Sequence, residues 1–488
     1  MPKNLIRLAA IFAILVGSLT PVGNSGYAQK EILLPEIGDP SGALITPIQE
    51  QQLGAAFYRS LHSQLQINQD LEVHDFIESL GERLALNSDN PQQPFHFFVV
   101  ISPAINAFAG PGGYIGINSG LILNTETESE LASVMAHEIA HVTQRHLYRA
   151  FDAARKMTIP SAIALLGAIL IGTQSAELGQ AAIIAAQAGS IQKQIDFTRD
   201  NEQEADRVGM QTLARANFDP RAMPLFFERL QKSSRYLGEG PPEFLRTHPV
   251  TSSRISDTRG RAEAFPYRQF PDSISFQQFK AKLRVLTAIK PSTAIKHFES
   301  RLQRGTETQK AIAHYGYGLA LAANTQYDKA RSILSHLVKQ NPGEHAFINA
   351  IAKTELLAGN SERALQLYAL ASKRFPQNRA IALDYATALL RSGKNQPGLE
   401  LLLAYSRHFR STPDVYNLIS RAYGGLGQNA QSHRYRAEYF YAMGQTEPAI
   451  LQARLGLRQS GGDHYLTALL EDRLKQFVYE EEERKKEN

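Results

Sequence analysis

The sequence of 488 residues contains no cysteine. That excludes a disulfide framework, and it excludes anchoring through a lipid-modified N-terminal cysteine. An excess of one charge is also missing: 52 basic against 47 acidic residues leave a formal net charge of +5. The two signs are mixed along the chain, and no basic stretch is interleaved with stacking aromatics, so nothing points to nucleic acid. Long hydrophobic runs are absent as well. Leu8–Leu19, residues 159–172 and residues 181–188 are apolar, but each is shorter than the roughly 20 residues that span a bilayer.

What the chain does have starts with a targeting pattern. Lys3 and Arg7 precede the Leu8–Leu19 run, and Gly26 and Ala28 are small residues placed for a cut after Ala28. Residues 1–28 therefore read as a cleavable signal peptide, and the expected location is outside the cytoplasm. The apolar segment 159–188, interrupted by Thr173, Gln174, Ser175 and Glu177, reads as a buried or interfacial helix pair near the active site. It would touch a membrane surface peripherally or cover a cleft. A chain of this length is expected to form more than one core.

His137-Glu138-Ile139-Ala140-His141 is an H-E-x-x-H segment. Leu131, Val134, Met135, Ile139 and Val142 recur around it at helical spacing, so it is expected on a half-buried helix. Thr127 with Glu130, or Thr125 with Glu128, would open that helix as a capping box. Histidines four apart share one helix face and can grip one Zn²⁺, while Glu138 reaches a water at the metal as general base. A catalytic zinc needs a third protein ligand. His146 does not fit the longer H-E-x-x-H-x-x-G-x-x-H signature, because Gln144 and Leu147 stand where Gly and His are required. It reads as a surface histidine near a helix end. The better candidate is Glu202, with Asp206 four residues on along the same face and Glu204 pointing elsewhere. Asp206 would accept the other ring N–H of a zinc histidine.

These segments, taken in order, resemble one family. H-E-I-A-H, N-E-Q-E-A-D at 201–206, Thr247-His248-Pro249 and Arg254-Ile255 are similar to the HtpX-like and CAAX-prenyl-protease-like gluzincin peptidases. Asn106-Ala107-Phe108-Ala109, Pro111-Gly112-Gly113-Tyr114-Ile115 and Gly120-Leu121-Ile122 extend the resemblance to about residues 45–265. It implies one zinc per chain on His137, His141 and Glu202, Glu138 as base, and Asp206 as the orienting group. It further implies His248 as a histidine acting at the metal or the substrate oxyanion, and Asn106, Ala107, Phe108 and Gly113 as substrate-binding residues. Phe95–Ile101 and Tyr114–Ile117 read as strands. The second is expected to be an open edge that holds an extended peptide through its main chain.

Beyond the Phe265-Pro266 and Phe270-Pro271 loops the pattern changes. Gly359, Gly393 and Gly427 recur every 34 residues, and Asn341-Pro342 and Phe375-Pro376 keep that period. This is the tetratricopeptide period of helix–turn–helix units. The expected architecture is an α+β zincin-like peptidase domain, mostly helical with a small sheet, followed by an all-α tetratricopeptide superhelix. The expected bounds are 29–265 for the peptidase, 266–307 for a helical linker, 308–460 for about four repeats and 461–488 for a C-terminal helix with a charged tail. Tyr315, Tyr317, Tyr368, Tyr385, Tyr405 and Tyr416 read mostly as core of that array. A signal peptide, this peptidase and such an array together resemble the periplasmic members of the family that assist outer-membrane barrel assembly. The resemblance implies unfolded or stalled outer-membrane proteins as substrates, with the barrel-assembly machinery and the lipopolysaccharide-insertion barrel as partners. The competing expectation is an adaptor or chaperone in which the array does the work and proteolysis is secondary or latent.

Overall fold

The structure is a computed structural model that describes residues 45–62, 64–154, 191–236, 242–409 and 411–487. The signal-peptide segment and the apolar stretch 159–188 lie outside the described residues. Helix α1 (Pro47–His62) buries Phe57 and Leu61. Helix α2 (Leu71–Ala85) starts where the Asp70 side chain accepts from the amides of Glu72 and Val73, and it buries Val73, Ile77, Leu80 and Leu84. These are an N-cap and an apolar stripe of the usual kind.

Three short strands follow: β1 (His96–Val100), β2 (Ala107–Ala109) and β3 (Tyr114–Asn118). Their order is β1-β3-β2, with β3 parallel to β1 and antiparallel to β2. Gly112 and Gly113 turn β2 back onto β3 with φ of 68° and 77°, a region that strongly favours glycine. The outer edge of β1 is covered by the segment before α2, where Asn68 N donates to Val99 O at 2.8 Å and Ile101 N to Gln66 O at 2.7 Å. The expected open edge at Tyr114–Ile117 is therefore corrected. That strand is the middle one, because the glycine turn folds Ala107–Ala109 outside it, and β2 is the edge.

Helices α3 (Ser119–Asn124), α4 (Glu128–Thr143), α5 (His146–Ala154), α6 (Ile191–Arg215), α7 (Ala222–Tyr236), α8 (Glu243–Thr247) and α9 (Ser252–Glu263) complete the peptidase core. Every residue of α4 from Ser129 to Ala140 is buried, so this helix runs through the core and is not half-buried as expected. The sheet, α2, α6 and α7 surround it. Its cap is Thr127, whose hydroxyl accepts from Glu130 N at 3.2 Å. The Glu130 carboxylate does not close a capping box. It accepts from Glu126 N at 2.5 Å and pairs with Arg229 of α7.

Helix α10 (Ile274–Leu286) joins the two halves. Phe276, Phe279 and Leu283 belong to the peptidase core, whereas Ala281 packs into the next one. After α11 (Pro291–Glu299) the chain forms helix pairs: α12 (Glu307–Ala323) with α13 (Tyr327–Gln340), α14 (His345–Leu357) with α15 (Ser361–Arg374), α16 (Arg379–Arg391) with α17 (Asn395–His408), and α18 (Pro413–Gly425) with α19 (Asn429–Ala442). Helices α20 (Thr446–Gln459) and α21 (His464–Glu487) end the array. Tyr315, Tyr368 and Tyr405 are buried in it, and Tyr317, Tyr385 and Tyr416 are half-buried.

The array folds back onto the peptidase. Lys282 of α10 is buried against Asp70 at 2.9 Å and against Glu72. Arg379 lies 3.7 Å from Asp75, and Arg59 of α1 reaches Glu480 of α21 at 3.0 Å.

The turns inside the pairs expose one irregularity. Gly359, Gly393 and Gly427 all have positive φ, and the position one repeat earlier is Thr325, with φ of 59°. A β-branched residue is strained there. Thr325 is exposed, so Thr325→Gly removes the strain without losing packing. The expected outcome is a stabilisation of about 1 kcal/mol, read as a higher denaturant midpoint. An unchanged or lower midpoint contradicts it.

Candidate metal centre

Helix α4 presents His137, Glu138 and His141, and α6 presents Glu202 and Asp206. The two helices approach closely at Gly209. A Cβ there would lie 3.0 Å from the Ala136 carbonyl oxygen and 3.1 Å from the Cα of His137. His137 Nε2 and His141 Nε2 face each other at 3.0 Å. Glu202 lies between the same atoms, with Oε2 at 3.4 Å from His137 Nε2 and Oε1 at 3.3 Å from His141 Nε2. His248, at the C-terminus of α8, brings Nδ1 to 2.9 Å from Glu202 Oε1 and 3.3 Å from His137 Nε2.

One donor atom from each of His137, His141, Glu202 and His248 falls within a sphere of mutual distances no greater than 4.8 Å. Three imidazole nitrogens and a carboxylate suit a divalent transition-metal ion. The electrostatics agree. Burial disfavours a charged His137, but Asp206 and Glu202 outweigh it and lift its pKa to about 10. A ligating imidazole is neutral, so a cation seated here replaces that proton's charge. Burial lowers His141 to about 3 against the opposing pull of Glu202. Burial also raises the Glu138 carboxyl above the ordinary range, partly countered by His248 and His137, and its Oε1 lies 3.4 Å from His248 Nε2.

Asp206 Oδ1 lies 3.0 Å from His137 Nδ1, the ring nitrogen facing away from the cluster. Sequence reasoning assigned no role to Arg254, which holds this side of the centre together. Its guanidinium bonds both Asp206 oxygens at 2.7 Å, and its Nη1 lies 2.7 Å from Glu202 Oε2. Arg254 sits in the first turn of α9, capped by Thr251. The quoted Arg254-Ile255 pair was the available signal, because a buried arginine beside two carboxylates is the natural counter-charge.

His146 is also placed differently from the expectation. It is buried, not on the surface, with Nδ1 at 2.8 Å from His141 Nδ1 and Nε2 at 3.1 Å from Glu204 Oε2. Glu204 thus faces this histidine and Arg149.

A cavity of about 240 Å³ opens beside the cluster, lined by Ala107 and Phe108 of β2, Glu138, His141, Val142 and His248. Asn106 and Gly113 are not in its lining. Asn106 Nδ2 donates to Glu243 Oε1 at 2.8 Å and so ties α8, which ends at His248, to the start of β2. At Gly113 a side chain would meet Pro94 O at 2.2 Å. These two candidate substrate-binding residues therefore shape the backbone behind the cleft.

Residues 73–262 match Peptidase family M48, and residues 355–422 match the tetratricopeptide repeat. A Vibrio cholerae relative, whose name also describes a beta-barrel assembly-enhancing protease, is 37% identical over 83% of this chain and 84% of its own. The "Beta-barrel assembly-enhancing protease" of Yersinia pestis is 34% identical over 90% of this chain and 92% of its own. The protein of that name from Escherichia coli K12 is 32% identical over 98% and 99%. The chain belongs to the beta-barrel assembly-enhancing protease family. It is thus an M48 metalloendopeptidase with a tetratricopeptide region, and the cluster on α4, α6 and His248 is where a member of this family would hold its metal.

Arg254 provides a test of how the centre is held. Arg254→Met leaves the Asp206 and Glu202 carboxylates buried without their counter-charge, which costs about 3–5 kcal/mol. The expected readout is a lower unfolding midpoint of the metal-free protein together with weaker metal binding. Wild-type stability in that variant would show the pair to be dispensable.

Proposed function

We propose that this protein is a periplasmic zinc endopeptidase that degrades misassembled outer-membrane barrel proteins and assists the assembly of others. The observation that carries the chemistry is the convergence of His137, His141 and Glu202 with Glu138 beside them and the edge strand β2 lining the adjoining cavity. Histidine and glutamate donors of this kind favour zinc, one ion per chain. Bound there, zinc supplies Lewis acidity that makes a water acidic and polarises a peptide carbonyl.

The chain's own residues do the rest. Glu138 takes the proton of the attacking water and returns it to the departing amine nitrogen. Burial raises its pKa above the ordinary carboxylate range, the direction that favours a base that must later act as an acid. Asp206 fixes the ring of His137, and the Arg254 guanidinium holds the Asp206 and Glu202 carboxylates in place. Strand β2 offers main-chain groups to an extended segment, so recognition depends on an unpaired backbone more than on sequence. Unfolded or stalled barrel proteins present such segments. The names of the relatives support a role in barrel assembly, and the array is suited to binding protein partners. The barrel-assembly machinery and the lipopolysaccharide-insertion barrel are the partners we infer.

A second reading concerns the resting state. His248 Nδ1 sits within the ligand cluster, 2.9 Å from Glu202 Oε1, so His248 is placed to act as a fourth ligand and keep the site latent until its loop moves.

Three experiments test these statements. Glu138→Gln is expected to abolish cleavage of an unfolded barrel substrate while zinc content stays at one per chain; cleavage at the wild-type rate refutes the base assignment. Assembly activity that survives this change belongs to the array. His248→Ala is expected to raise basal proteolysis several-fold; unchanged activity removes the latch, and lost activity makes His248 part of catalysis. Export predicts a mature N-terminus at Gln29 in the periplasmic fraction, and an intact Met1 in the cytosol overturns the location.

A further inference from the structure

His146 and Glu204 have no part in the mechanism above, yet they lie directly behind a metal ligand. Helix α4 ends at Thr143, and Arg145 then adopts φ of 55°. This break matters for His146. On an uninterrupted helix, residues five apart lie about 140° around the axis from one another, so His146 would point away from His141. The left-handed turn at Arg145 and the start of α5 at His146 bring the ring back, with Nδ1 at 2.8 Å from His141 Nδ1. Glu204 of α6 meets the far side of the ring, with Oε2 at 3.1 Å from Nε2. Glu204 is itself held by Arg149 at 2.6 Å.

We propose that Glu204 and His146 form a positioning relay that sets the tautomer of His141 and so prepares its Nε2 to bind the metal. This rests on the zinc-peptidase reading of the site. The ring protons decide which nitrogen of His141 is free. A neutral imidazole carries one. The Glu204 carboxylate is an acceptor, so the proton of His146 sits on Nε2. Its Nδ1 then has a lone pair and accepts the Nδ1–H of His141. That leaves His141 Nε2 with its lone pair aimed at His137 and Glu202. The opposite arrangement, with a proton on His146 Nδ1, makes His141 Nδ1 the acceptor. The proton of His141 then moves to Nε2, where it blocks the metal. The relay is the counterpart for His141 of what Asp206 does for His137, built from two residues because Glu204, the α6 carboxylate on the Nδ1 side, meets His146 and not His141 itself.

The test reads metal affinity, by zinc-chelator competition on the full-length protein, with the unfolding midpoint of the metal-free form measured alongside. His146→Ala is expected to weaken zinc binding roughly 10- to 100-fold, the usual effect of removing a partner of a ligand histidine. Glu204→Gln, at a half-buried position, is expected to weaken it less and to leave the metal-free midpoint unchanged. His146→Asn keeps an acceptor where Nδ1 was and is expected to restore most of the affinity. In the His146→Asn or His146→Ala background, Glu204→Gln should add nothing further, because its effect passes through the ring. Unchanged affinity in His146→Ala overturns the proposal, and so do fully additive effects of the two substitutions. Should His146→Ala fail to fold, Glu204→Gln and His146→Asn decide alone. A wild-type protein that binds no zinc would instead sink the peptidase reading on which the relay rests.

Discussion

Helices α4 and α6 lie so close at Gly209 that a Cβ there would meet the Ala136 carbonyl oxygen at 3.0 Å, and the metal centre is built across that contact. His137 and His141 come from one helix and Glu202 from the other. A methyl group at position 209 would require α4 and α6 to give way at this contact. The contact also buries His137, Glu138, Glu202 and Asp206 almost completely. Such a cluster is costly to bury unless charges and hydrogen bonds are matched. Arg254 supplies the fixed positive charge, and a bound cation would supply the rest.

Around that contact each ligand is steadied from outside. Asp206 holds His137 and is itself clamped by Arg254. His141 meets His146, and α8 delivers His248 because Glu243 is tied to Asn106 at the root of β2. The same residues that bring His248 to the metal therefore also position the edge strand. Movement of α8 and the shape of the cleft are linked through the buried Asn106–Glu243 bond and the bond from Phe244 N to Ile105 O at 2.9 Å.

The array is not a free arm. Helix α10 contributes aromatic side chains to the peptidase core and an alanine to the core of the first repeats. The ion pairs of Lys282, Arg379 and Arg59 connect α2 and α1 to successive parts of the superhelix. Lys282 is buried among carboxylates, so pulling this joint apart would leave charges unpaired. The residues expected to be a linker are thus a shared packing layer.

Local patterns carried much of this in advance. The H-E-x-x-H spacing, the Glu202–Asp206 offset and the glycines every 34 residues are short-range regularities. Helix geometry turns each of them directly into a shared face or a turn, which is why the metal-ligand candidates and the repeat architecture were legible in the sequence. Glu138 beside His137 was legible for the same reason. The misplaced expectations all depended on distant partners. His146 looked like a surface residue because nothing local shows that a left-handed Arg145 turns it inward to meet Glu204. The middle strand was taken for the edge because its order depends on where β2 folds. Helix α4 looked half-buried because its serines, glutamates and histidines are polar, and partners on α6 and α7 and at His248 make burial tolerable. The sequence by itself determined which side chains share a helix face and how often the chain turns. The tertiary structure decided which faces meet, because burial, counter-charge and ring orientation arise only when segments far apart in the chain are packed together.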